Sequence, residues 1–231
     1  MPWRPLLAAL AAAVLGAGAA WAGDILRPGS VAVSVLGFIV GAGLIGLYWR
    51  RRTFGWANTV TLLRVIGTSW AAGLMCQGLA GDLSRSGQVL LVVVGSVCLV
   101  LDGVDGKVAR GRGEVSAFGA RFDMETDAAL NLFLGVTLAA VSDLGWWVVA
   151  CGALRYLYVA ASWVVPPLRI PLDYRYVRKV IAVVQAVALL ASLLLDLLGA
   201  PLWVSTTVVA VALATLCWSF GRDVVWQFRH R

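Results

Sequence analysis

The sequence predicts an all-α protein: a polytopic transmembrane helix bundle, with a six-helix core preceded by about two extra N-terminal helices. Three observations carry that expectation. Of the 231 residues, 61% are apolar and only 13% charged, about half the charged share of an ordinary soluble domain, and the mean hydropathy is +0.86. Eight stretches are apolar over lengths near the roughly 20 residues that a helix needs to cross a bilayer. Basic residues gather in alternate connections between those stretches, the asymmetry that membrane topology imposes. A separate water-soluble domain has no room beside them.

Taken in order, the stretches lie near residues 5–22, 31–49, 57–79, 87–110, 116–141, 144–165, 179–198 and 202–220. The first has a second reading, because Met1 to Arg4, an Ala/Leu-rich run and Ala20-Trp21-Ala22 resemble a signal peptide and its cleavage site. A length of roughly 18 residues and the helices behind it favour a retained helix. Both readings place Gly23 to Ser30 outside. The second stretch runs into Arg50-Arg51-Arg52-Thr53-Phe54-Gly55-Trp56, a basic and aromatic segment expected to lie on the cytoplasmic leaflet. It divides residues 1–50 from a core at 51–231 that ends in a short cytoplasmic tail. Asp82, Asp143, Asp196 and Asp223 are expected as loop charges, and Cys76, Cys98, Cys151 and Cys217 as buried free thiols without paired spacing.

With the N-terminus inside, the cytoplasmic side receives Arg4, Arg50 to Arg52, Lys107, Arg110, Arg112, Arg121, Arg169, Arg175, Arg178, Lys179, Arg222, Arg229 and Arg231, while the external loops receive only Arg27 and Arg85. Trp146, Trp147 and Trp203 then fall near the outer interface and Trp49, Trp163 and Trp218 near the inner one. The net charge of +7 reads as a topology and anionic-lipid signal. No compact basic domain is present for a nucleic acid.

Half of the twelve acidic residues fall between 102 and 127: Asp102, Asp105, Glu114, Asp123, Glu125 and Asp127. Asp102 and Asp105 are three apart and Asp123 and Asp127 four apart, so each pair shares a helix face. Counted from Glu114 as the centre of a tight turn, the two pairs reach matching depths in an antiparallel helix pair. Four carboxylates converge there, with Gly103, Gly106 and Gly119 allowing close approach of backbone or ligand. Such a group cannot stay ionised in a low dielectric unless cations neutralise it. Oxygen-only ligation without His or Cys favours a hard cation, Mg²⁺, Mn²⁺ or Ca²⁺. Lys107 and Arg110 lie at the mouth of the same site. Metal beside fixed cations is how proteins polarise a phosphate or diphosphate.

The same residues carry a pattern: Asp-x-x-Asp-Gly-x-x-Ala-Arg, eight residues, Gly, three residues, Asp, three residues, Asp. It is met at Asp102, Asp105, Gly106, Ala109, Arg110, Gly119, Asp123 and Asp127. This resembles the signature of the CDP-alcohol phosphotransferases, or phosphatidyltransferases. Asn58-x-x-Thr61-x-x-Arg64 is similar to that family's first core helix, with Ala57 where a Pro is common. Arg178-Lys179-x-x-Ala182-x-x-Gln185 is similar to a Gly-Lys-x-x-Thr-x-x-Gln pattern at Lys179 and Gln185 but not at Arg178 and Ala182. The resemblance covers roughly residues 51–220. It implies a six-helix catalytic core with a polar cavity open to the cytoplasm. It further implies Mg²⁺ or Mn²⁺ held by Asp102, Asp105, Asp123 and Asp127, and Asp127 as general base. Asn58, Thr61, Gly106, Ala109, Arg110 and Gly119 would line the nucleotide and diphosphate. The partners implied are a CDP-linked lipid donor, an alcohol acceptor, membrane lipids and a second copy in a homodimer.

Arg64 and Arg155 lie inside apolar segments and are expected to face the polar cavity. Arg155, Arg178 and Lys179, with Arg169 and Arg175 nearby, form the candidate pocket for a phosphate on the acceptor. Glycerol 3-phosphate, inositol phosphate and phosphatidylglycerol are the candidate acceptors. Two competing functions use the same features: a divalent-cation transporter and an inactive membrane scaffold. Transporter sites tend to lie near the midplane between repeats, whereas here the carboxylates lie near helix ends and no repeat is visible. A scaffold would not need the complete Asp set.

Overall fold

The computed structural model describes residues 23–48, 56–112, 117–170 and 176–229, with scattered helical positions between 11 and 18. At 45–48, 56–59, 104–112, 117–121 and 176 it describes the backbone alone. No strand occurs among the described residues. The helices are α1 (Pro28–Tyr48), α2 (Trp56–Leu79), α3 (Arg85–Arg112), α4 (Ala117–Val141), α5 (Ala150–Val164), α6 (Tyr176–Leu197) and α7 (Leu202–Arg229).

Among the described residues five segments are long and apolar enough to cross a membrane: Arg85–Gly103, Phe122–Val141, Trp146–Val164, Val177–Leu197 and Leu202–Arg229. The chain is an integral, multi-pass membrane protein. Five of the eight expected stretches are met in this way, and the first, near 5–22, lies largely outside the described residues. In α1 the described apolar part is Pro28–Leu44. In α2 the length is sufficient, at 24 residues, but Arg64, Thr68, Ser69 and Gln77 are buried along it and lower its hydropathy. That helix is polar because it lines the interior. Lipid-facing positions are apolar instead, as at Leu36, Val100, Leu157 and Val211.

Two helices stop in the same way at the same end of the bundle. After α2, Gly81 takes φ 74°, its N–H donates to Gly78 O at 3.0 Å, and the Asp82 N–H donates to Gln77 O at 3.0 Å. After α6, Gly199 takes φ 67°, its N–H donates to Asp196 O at 3.0 Å, and the Ala200 N–H donates to Leu195 O at 2.9 Å. Both are Schellman stops, in which a left-handed residue satisfies the last carbonyls of the helix. They place Asp196 in the last turn of α6, where it accepts from Gln88 Nε2 at 2.9 Å, so it is no loop charge. The sixth apolar stretch opens as a 3₁₀ turn, Trp146–Val149, before α5 begins.

The tail expected after residue 220 is likewise helical. α7 continues to Arg229, which makes Asp223 a buried helical residue. Cys217 on that helix is exposed rather than buried, and Cys76 is half-buried; all four cysteines are free.

The apolar core lies in one half of the bundle, around Leu74, Leu91, Leu134, Leu138, Leu189 and Leu193, all fully buried. Heptane-like lipid offers no hydrophobic drive between helices, so contact packing and polar contacts hold this core. Toward the other end the inward positions turn polar: Leu74 gives way to Thr68 and Arg64 on α2, Leu91 to Cys98 and Asp102 on α3, Leu134 to Asn131 and Asp127 on α4. α2 packs along α1, α3 and α4, and α6 packs along α7, α3 and α4. Among the described residues the consecutive helices α3 and α4 hardly touch each other; the tight turn expected between them lies outside the described residues. Gly103 meets nothing within 4 Å, so no described backbone approaches it and the space beside it is open. The close approach is one turn deeper, where a Cβ on Gly67 would collide with Cys98 Sγ and only glycine lets α2 seat against α3.

Candidate active site

Because α2 lies between α3 and α4, the carboxylates of the two motif helices meet around a side chain of α2. Asp102 comes from α3, and Asp123 and Asp127 come from successive turns of one face of α4. Each offers a carboxylate oxygen, and the three oxygens lie within 4.8 Å of one another. Arg64 sits in their midst with 1% exposure. Its Nη1 donates to Asp123 Oδ1 and its Nη2 to Asp127 Oδ1, while Nη1 stands 3.5 Å from Asp102 Oδ1. Lys179, at the start of α6, brings Nζ to 3.9 Å from Asp102 Oδ2.

The site is closed on one side and open on the other. Asp102 keeps 8% of its side-chain surface, whereas Asp123 and Asp127 each keep 35%. The floor is polar, since Thr68 and Asn131 are buried one turn beyond Arg64 and Asp127. Among the described side chains three carboxylates face two cations, an excess of negative charge in a poorly solvated place. An oxygen-only donor set of this kind fits a hard divalent cation, and the carboxylates are close enough to hold one.

The remaining motif residues follow from the helices that carry them. Asp105 is three residues beyond Asp102 on α3, so it shares that face; Gly106, Ala109 and Arg110 continue the helix, Gly119 opens α4 and Asn58 opens α2. The side chains of these residues, with that of Lys107, lie outside the described ones. Thr61 is half-buried one turn before Arg64 on α2. Glu114, Asp173, Arg175 and the Arg50–Arg52 segment lie outside the described residues.

Of the three cations expected at the acceptor, the structure brings only Lys179 to the cluster. Arg155 instead gives Nη2 to Glu125 Oε1 at 2.5 Å and Nη1 to Met124 Sδ at 2.8 Å. Glu125 is two residues from both Asp123 and Asp127, hence on the opposite side of α4. Arg178 directs Nε to Asp223 Oδ2 at 3.6 Å. Arg169 caps α5, donating to Ser162 O at 2.8 Å and Trp163 O at 2.5 Å. Two participants were not legible as such. Arg64 was expected in the polar cavity but without a partner, and its depth inside an apolar segment was the signal. Asp223 was set aside as a loop charge, whereas it is buried within α7 and paired with Arg178 and Arg222.

Comparison with known proteins bears on the same residues. A family model described as CDP-alcohol phosphatidyltransferase matches residues 54–218, a range that holds α2 through most of α7 and every residue of the cluster. Two relatives from Mycobacterium tuberculosis, of strains CDC 1551 / Oshkosh and ATCC 25618 / H37Rv, are each 29% identical over 176 residues, covering 76% of this chain and 82% of the relative; both are named "Probable phosphatidylglycerophosphate synthase". No solved structure matches the chain.

Proposed function

The chain belongs to the CDP-alcohol phosphatidyltransferase family, and from that premise we propose that it transfers a phosphatidyl group from a CDP-linked lipid such as CDP-diacylglycerol to glycerol 3-phosphate, releasing CMP. The observation that carries this reading is the surplus of carboxylate at one open-sided point, with the oxygens of Asp102, Asp123 and Asp127 within 4.8 Å. A diphosphate cannot approach such a point unless divalent cations lie between. Family membership argues against the transporter reading, and the retained Asp set argues against an inactive scaffold.

In the proposed chemistry the acceptor hydroxyl oxygen bonds to the phosphorus that bears the lipid. The bond from that phosphorus to the bridging diphosphate oxygen breaks, and CMP departs with the electron pair. Mg²⁺ or Mn²⁺ held by Asp102, Asp105, Asp123 and Asp127 would supply charge neutralisation on the diphosphate. Asp127 takes the hydroxyl proton; it lies on the open side of the cluster, where an acceptor can reach it. Arg110, with Asn58, Thr61, Gly106, Ala109 and Gly119, holds the CMP portion. Lys179 holds the acceptor phosphate, since its ammonium is the cation at the cluster not enclosed by carboxylates. Arg178 stands beside it in sequence and Arg155 pairs with Glu125 on the far side of α4, so both are weaker contributors.

Glycerol 3-phosphate is preferred over inositol phosphate and phosphatidylglycerol because both relatives carry the name of a phosphatidylglycerophosphate synthase. The catalytic unit is residues 51–231, it faces the cytoplasm, and it works as a homodimer. The test is release of CMP from CDP-diacylglycerol by the purified protein against a panel of acceptors. Turnover with glycerol 3-phosphate well above the others is expected. Release with none of them would overturn the reading, and a clear preference for another acceptor would overturn its choice of alcohol.

A further inference from the structure

We propose that Arg64 is the protein's own counter-ion for the carboxylate cluster, a fixed cation that ties α3 to α4 at the site and competes there with the divalent ion. The inference rests on the metal reading above and deepens it.

The argument begins from burial. Arg64 is the largest fully buried side chain among the described residues, and a guanidinium out of water is tolerable only when anions surround it. It uses separate nitrogens for Asp123 and Asp127 and keeps Asp102 at 3.5 Å. A planar fork can span carboxylates one helical turn apart in this way, and a point-charge ammonium cannot. The contact also supplies what the packing lacks. Among the described residues α3 and α4 hardly touch, and Arg64 on α2 reaches carboxylates of both. Without it, Lys179 would be the one described cation facing the three carboxylates, and their mutual repulsion would push the helix ends apart.

Two consequences follow. In the absence of metal the site stays assembled, with Asp127 already oriented, so Arg64 is a positioning residue for the base. In the presence of metal, the positive charge of Arg64 acts on the incoming cation as a repulsive neighbour. The bound ion is therefore held less tightly than three carboxylates alone would hold it.

The test is Mn²⁺ titration of the full-length protein in detergent, followed by electron paramagnetic resonance, together with melting temperatures with and without Mn²⁺. Arg64→Met is expected to bind Mn²⁺ about tenfold or more tightly than wild type, since a like charge has been removed from within a few ångströms of the ion. Its metal-free melting temperature should fall, and Mn²⁺ should raise it further than it raises wild type. Arg64→Lys keeps the charge, so its Mn²⁺ affinity should stay within about threefold of wild type. A merely structural role would lower the melting temperature equally with and without Mn²⁺ and leave the affinity unchanged or weaker, and that result would overturn the proposal. If Arg64→Met folds in neither condition, Arg64→Lys decides: a lowered metal-free melting temperature that Mn²⁺ restores supports the tie, and one that Mn²⁺ leaves lowered overturns it. Wild type that binds no Mn²⁺ would instead sink the metal reading itself.

Discussion

Two buried polar groupings occupy the same end of the bundle, and they are balanced differently. Around Gln227 every described group has an answer: Nε2 donates to Leu168 O at 3.2 Å and Ile170 O at 2.8 Å, and Oε1 accepts from Tyr158 Oη at 2.7 Å. Next to it a single carboxylate, Asp223, meets both Arg178 at 3.6 Å and Arg222 at 3.2 Å, and Arg222 stacks over Trp218 at 5.0 Å. Around Arg64 the described side chains reverse the ratio, with three carboxylates for two cations. A saturated network fixes chain segments and offers a ligand nothing. An unsaturated one, rich in charge of one sign, is stable only with a partner of the other sign. The first grouping reads as a brace between α7 and the segment after α5, and the second as a site.

Substitutions can break this contrast, and the largest effect is expected at Asp127. Asp127→Asn keeps the shape but cannot accept the acceptor's proton. Turnover should fall roughly 10²-fold or more, the scale of general-base contributions, while binding of the CDP-linked donor is largely kept. Steady-state rates and donor binding measured side by side decide it. A variant turning over near the wild-type rate would show that another group takes the proton.

Lys179→Ala comes next. Loss of a charged hydrogen bond to the acceptor phosphate costs about 1.5–3 kcal/mol, so acceptor KM should rise about ten- to a hundredfold, with donor KM nearly unchanged. Arg155→Ala serves as the comparison, because its partner Glu125 lies on the other side of α4, and its effect on acceptor KM should be smaller. Equal effects from both would return Arg155 to the acceptor site.

The smallest effect on catalysis is expected in the brace. Gln227→Leu leaves two carbonyls and the Tyr158 hydroxyl without their partner, which should lower stability by about 1–3 kcal/mol. That is read as a lower melting temperature in detergent. Turnover per folded molecule should not change. A loss of turnover without a loss of stability would make the brace part of the site.

The contrast between the two groupings also marks what the sequence could convey. The carboxylate cluster was legible because helix periodicity places Asp102 with Asp105 and Asp123 with Asp127, whichever helix packs against them. Most helix positions were legible for the same reason, since apolar length alone sets a spanning segment. The packing between helices was not. Nothing in residues 102–127 tells that α2 would separate α3 from α4, so the role of Arg64 between them stayed hidden, as did the close helix approach at Gly67. Asp223 was misread because the hydropathy of α7 falls after Phe220 while the helix continues, its polar residues turned inward to Arg178 and Tyr158. A helix end that is buried by polar contacts carries no apolar signal.

Mn²⁺ binding by three proteins, wild type, Asp123→Asn and Asp223→Asn, tests the distinction most directly. Both substitutions remove one buried or half-buried carboxylate at the same end of the bundle and keep its shape. Electron paramagnetic resonance of each purified protein at rising Mn²⁺ should show saturable binding by wild type and by Asp223→Asn, and binding weakened about tenfold or more by Asp123→Asn, which loses a ligand. Binding by Asp123→Asn equal to wild type, or a loss as large in Asp223→Asn, would contradict the account.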